Sequence, residues 1–234
     1  EVVASIECYN ESPIVGGITR LSKEEIRQSA IDTYAAQNRA VTKLDYEAIV
    51  YGMNPKFGSV KRCAIFQDSN SLKRNLNLYI LSQNSNNHLT TASDTLKRNL
   101  KTWLMRYKML NDTIDILDGK VVNIGINFSA KILPGRNKSA VLKSCLTRLR
   151  NTSAAKKYFG EPLDIARLYK IINSVPGVMD CLKVEVVLKT GSPYSSVRYN
   201  LDRNLSADGT ELKVPKNVIL EIKFPNVDIK GTLK

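Results

Sequence analysis

A chain of 234 residues, 43% hydrophobic and 24% charged, has the composition of an ordinary globular protein and enough apolar material for one large domain or two small ones. No apolar run reaches about 18 residues, which excludes a membrane-spanning helix. The net charge of +13 points to a polyanion or an acidic partner. With one histidine, His88, and no cysteine pair at ligand spacing, there is little material for a zinc site or a His-based triad. Cys63, Cys145 and Cys181 stand in apolar-patterned segments and read, with Cys8, as free thiols of a reducing compartment.

The chain starts at Glu1 without a signal sequence and reads as a fragment of a longer protein. Residues 1–20 are expected to be the tail of a preceding domain or a linker, with a strand near Val2 and a joint at Gly16-Gly17. Ser22 and Glu25 form a capping box, stapled by Leu21 and Ile26, so a helix is expected from Lys23 to Asn38. The same grammar returns at once. Thr42 can cap a second helix, Asp45 can reach back to the Thr42 amide, and Val41 and Tyr46 stand at staple spacing. That helix should end near Gly52, and Asn54-Pro55 and Gly58 close the helical pair.

Ser59 to Gln67 and Lys73 to Ser82 then read as an antiparallel hairpin turning at Asp68-Ser69-Asn70, with Leu76, Leu78 and Ile80 on one face. The polar run Ser82 to Thr91 is expected to be a mobile loop, with His88 solvated. Thr91 or Ser93 caps a helix whose Leu96, Leu100, Trp103, Leu104 and Tyr107 recur at helical spacing. Lys97, Arg98, Lys101, Arg106 and Lys108 form its back, which is either simply solvated or docks on an acidic partner.

After a short strand from Asp112 to Leu117 and a turn at Asp118-Gly119, alternation runs from Val122 to Ile132. It leaves Asn123, Asn127, Ser129 and Lys131 on a wet face, which favours an antiparallel or mixed sheet. A helix over Ser139 to Asn151 presents Leu142, Cys145, Leu146 and Leu149. Another is expected to start at Pro162, with Asp164 at its N-terminal dipole and Ile165, Leu168, Ile172 and Val175 as its apolar face. A strand with Leu182, Val184, Val186 and Leu188 inward, a flexible loop from Gly191 to Ser196, and a terminal hairpin turning at Asp208-Gly209 follow. Glu211 to Phe224 reads as the last long strand, an edge candidate because of Pro215 and Pro225. Clustered helices and strands give an α+β class: after the helical pair, two small α/β sandwich modules, divided as residues 21–118 and 119–234, with antiparallel or mixed sheets packed against helices.

The corner Arg39-Ala40-Val41-Thr42-Lys43-Leu44-Asp45-Tyr46-Glu47 resembles the signature of the baseplate J-like family, the wedge proteins of contractile-tail bacteriophage baseplates. Arg39, Thr42, Asp45 and Tyr46 carry the match. Three further stretches are similar to the family: Gly58-Ser59-Val60, the run from Leu163 through Pro176-Gly177-Val178, and Val214-Pro215 through Leu220. The resemblance implies a non-enzymatic structural subunit of the virion tail baseplate, assembled in the host cytoplasm, with no catalytic, cofactor or metal residues. It implies homodimers within a ring around the tail tube, contacts with other wedge proteins, and a rearrangement that triggers sheath contraction and genome ejection.

The residues themselves leave a rival open, a basic nucleic-acid-binding module, which the charge of +13 motivates. No zinc-finger spacing, aromatic RNA-binding motif or helix-turn-helix accompanies that charge. For an enzyme the only candidates are Asp45, Tyr46 and His88, and they form no catalytic constellation.

Overall fold

The structure, a computed structural model, describes residues 23–36, 39–67, 75–153 and 157–234. The expectations for residues 1–20, for Cys8, for the Gly16-Gly17 joint, for the Leu21 and Ser22 cap and for the Asp68-Ser69-Asn70 turn lie outside these residues. The class is α+β, and the chain divides into two compact units between Asp118 and Gly119.

In the first unit, helix α1 (Lys23–Ala36) packs along α2 (Lys43–Tyr51). A single 3-10 turn over Pro55–Phe57 follows, capped by Asn54. Strand β1 (Arg62–Gln67) pairs antiparallel with β2 (Asn75–Gln83), Arg62 opposite Leu81 and Gln67 opposite Leu76. The run after Ser82 is not a loose loop. Strand β3 (Leu89–Thr90) turns back on β2, and the Asn84 side chain accepts the amides of Asn86 and His88 at 3.1 and 2.9 Å. Asn87, at φ 62°, supplies the left-handed step that such a tight turn needs. Ser93, not Thr91, caps α3 (Asp94–Leu104). β4 (Thr113–Asp118) then lies parallel to β2 on the edge opposite β1. Leu96, Leu100 and Leu104 of α3 fill a core with Tyr46, Ile49 and Val50 of α2 and Ile65, Leu78 and Ile80 of the sheet. Each such side chain removed from water contributes about 1.5–3 kcal/mol. Trp103 is a core anchor at the margin, its indole N–H donating to the Ile49 carbonyl at 2.9 Å.

The second unit is built on β5 (Lys120–Ile132). One edge of β5 pairs antiparallel with β7 (Val178–Lys189). The other edge is shared by two parallel strands, β9 (Val218–Glu221) and β10 (Ile229–Leu233). The elements between are α4 (Lys138–Ser153), β6 (Leu163–Asp164), α5 (Ile165–Asn173), α6 (Leu201–Asn204), β8 (Glu211–Leu212) and α7 (Pro225–Asp228). Helix α4 covers β10 and α5 covers β7, burying Val141, Cys145, Leu149, Ile165, Leu168 and Ile172 against Phe128, Ala130 and Val184.

Several expectations are corrected here. The helix expected at Pro162 starts at Ile165, because Leu163 and Asp164 pair with Leu212 and Glu211 in β6 and β8. Asp164 is its cap, accepting the Arg167 amide at 2.8 Å. The long strand from Glu211 to Phe224 is broken: β8 and β9 are separated around Pro215, and Pro225 opens α7. Leu182 is not inward. The register of β5 with β7 steps from Ser129–Lys183 to Ala130–Cys181 and from Lys131–Asp180 to Ile132–Val178, so Leu182 and Met179 are the extra residues of two β-bulges. Each bulge reverses the alternation, which leaves Val178, Cys181 and Val184 buried and Met179 and Leu182 58% and 49% exposed. The wet face of β5 begins only at Asn127, since Val121 and Asn123 are buried.

Candidate functional site

The corner that carries the family resemblance is built from the cap outward. The Thr42 hydroxyl accepts the Asp45 amide at 3.2 Å, and Asp45 Oδ2 accepts the Thr42 amide at 2.8 Å and the Val41 amide at 3.2 Å. These bonds satisfy donors that the helix leaves open in its first turn. They also hold the Asp45 carboxyl below its ordinary value, the Thr42 amide contributing most and the charge of the exposed Arg39 least. No staple accompanies the box: Val41 is 58% exposed while Tyr46 turns into the core.

Nonlocal contacts then lock the corner to its unit. The Ala40 amide donates to the Tyr107 carbonyl at 2.9 Å, in a parallel bridge of Ala40 with Lys108. Tyr46 donates its hydroxyl to Asp112, a contact between residues 66 apart in sequence. Burial, and then this carboxylate, raise the Tyr46 phenol well above its ordinary value, so it stays a donor at every physiological pH. Burial also raises Glu47. Tyr51 accepts the Cys63 amide at 3.1 Å, tying the end of α2 to β1.

Asp45, Tyr46 and His88, the residues with acid or base chemistry, are not brought together. Asp45 is spent on the cap, Tyr46 faces Asp112, and His88 is half-buried in the β2–β3 hairpin. Among the described residues no group of three His, Cys, Asp or Glu is placed to hold a metal ion. Burial raises the thiols of Cys63, Cys145 and Cys181, the last to about 11, and all three are free.

A second polar cluster, which sequence reasoning missed, sits in the second unit. Asn123, 2% exposed, donates to Glu221 Oε2 at 2.9 Å and accepts the Ser195 amide at 2.8 Å. Asp228, also buried, accepts the Tyr194 hydroxyl at 2.6 Å and the Phe224 amide at 2.9 Å. Lys223 reaches the Pro193 carbonyl, and the Tyr194 and Phe224 rings meet edge to face. The loop from Gly191 to Ser196, expected to be flexible, is thus strapped over the start of β5. The one signal available in the sequence was an Asn at an alternation position that the strap covers.

No protein-family model and no curated protein matches the sequence. Among solved structures, a chain of the cryo-EM structure of the anti-feeding prophage (AFP) baseplate, 6-fold symmetrised, has a similar fold, with a TM-score of 0.53 and 15% identity. The likeness covers 87% of this chain and 42% of that one, so this chain spans less than half the length of its neighbour. At that identity the likeness establishes a shared fold.

Proposed function

We propose that the chain is a non-enzymatic structural subunit of a contractile-tail baseplate, working by assembly with other baseplate proteins. The observation that carries this reading is the fold shared with a baseplate chain over 87% of the present chain. The resemblance of the corner at Arg39, Thr42, Asp45 and Tyr46 to the baseplate J-like signature agrees with it. In this reading the chain forms homodimers within a ring around the tail tube, contacts other wedge proteins and resides in the virion tail after assembly in the host cytoplasm. Rearrangement of the ring triggers sheath contraction and genome ejection. In this reading the joints of that rearrangement are Gly16-Gly17 and the loops Ser82 to Thr91 and Gly191 to Ser196.

Sedimentation of the purified chain tests the reading. A dimer that dissociates only at low concentration, with an interface above about 1,000 Å² in a subsequent structure, is the expected result. A chain that stays monomeric at high micromolar concentration, and that fails to join baseplate intermediates, would sink it.

A further inference from the structure

The charge of this chain is unevenly divided. Residues 119–234 hold 20 Lys and Arg against nine Asp and Glu, a net of +11, while residues 1–118 hold 15 against 13, a net of +2. Within the second unit the excess is sharpest on the helical layer. Helices α4 and α5 carry six Lys and Arg and no Asp or Glu. Asp164, just ahead of α5, caps that helix and sets one negative charge against the six. Because both helices turn their apolar faces to the sheet, Lys138, Lys143, Arg148, Arg167 and Lys170 are exposed. Like charges gathered in excess repel one another and disfavour the compact state, so a partner of opposite sign relieves a standing cost.

We propose that the α4–α5 layer is a docking face for an acidic protein surface. Protein is favoured over nucleic acid on two grounds. The only aromatic residue of the two helices is Tyr169, whose side chain packs against the core and whose hydroxyl accepts the Val184 amide at 2.9 Å, so the layer offers no free ring on which a base could stack. No zinc-finger spacing or aromatic RNA-binding motif stands in the two helices either. The basic back of α3 is a weaker candidate, because Lys97 is held by Asp118 and Asp94 and Lys108 donates to the Asp112 carbonyl. The proposal does not rest on the baseplate reading: a chain that stays monomeric and joins no baseplate intermediate would defeat that reading and leave this face standing.

Fluorescence anisotropy on the intact chain near physiological salt tests it, with poly-L-glutamate as the carboxylate probe and a random DNA duplex as the phosphate probe. The triple variant K143E/R167E/K170E is compared with K56E/K101E/R106E in the first unit, which changes net charge equally. Poly-L-glutamate is expected to bind the parent chain, to bind the first variant about tenfold or more weakly, and to bind the second as it binds the parent. Equal weakening in both variants, tighter binding of the duplex than of polyglutamate, or binding of neither probe would overturn the proposal. Circular dichroism melts verify that both variants fold. Should the first triple fail that check, the exposed single reversals K143E and K170E take its place with the same expected order.

Discussion

Asp45 performs two tasks with one carboxylate. It accepts amides at the corner, and its negative charge lies at the N-terminal end of α2, where the helix dipole favours it. Thr42→Ala is expected to lower stability by about 0.5–2 kcal/mol in urea melts. The Asp45 contribution also has a pH signature. Its folded value is lowered, so the contribution is fully present above the unfolded value of 3.8 and is lost as pH falls through the lower folded value. The stability difference between the parent chain and Asp45→Ala should therefore be constant near neutrality and shrink below about pH 4. A difference that persisted in strong acid would mean that the carboxylate charge is not what the cap uses. This site was legible in the sequence because all its donors and acceptors lie within five consecutive residues, Val41 to Asp45. The partner of Tyr46 was not legible, since Asp112 comes to it only through the parallel pairing of β4 with β2.

Among the elements, the long helices were legible and strands only in part. The apolar faces of α3 and α5 follow from helical spacing, since a helix makes its backbone bonds within itself. A strand depends on its neighbour, and β7 shows the cost to sequence reading. Its buried residues fall every third position, Val178, Cys181 and Val184, because the two bulges are set by the register with β5 and by nothing local. The break between β9 and β10 is in part local, since Pro225 opens α7 between them. Gly231 illustrates how closely β10 is fitted: a Cβ there would stand 2.2 Å from the Phe128 ring, too close for the ring to stay in place. Gly231→Ala is expected to cost about 1–3 kcal/mol in chemical denaturation, as other overpacked cores do. A neutral result would mean that the Phe128 ring moves aside freely.

The molecule as a whole is two units of unlike electrical character, each with a core of its own. The second gathers most of the positive charge, so its native state is opposed by self-repulsion that salt can screen. A fragment of residues 119–234 is expected to unfold in one cooperative transition, followed by calorimetry, and to melt higher as monovalent salt is raised. A broad transition would show that the second core depends on the first unit, and a melting temperature indifferent to salt would show that its charges are already compensated.

Along the shared edge of β5, Glu221 stands opposite Asn123 and Ile229 opposite Ile126. Residues 222–228 thus pass a gap that β5 crosses with 124–125 alone. Chain length is separated from strand register there: β10 is aligned by its own fit to Phe128, whatever the length of the excursion that precedes it. A slip of one residue in that pairing would turn the buried Ile229 toward water.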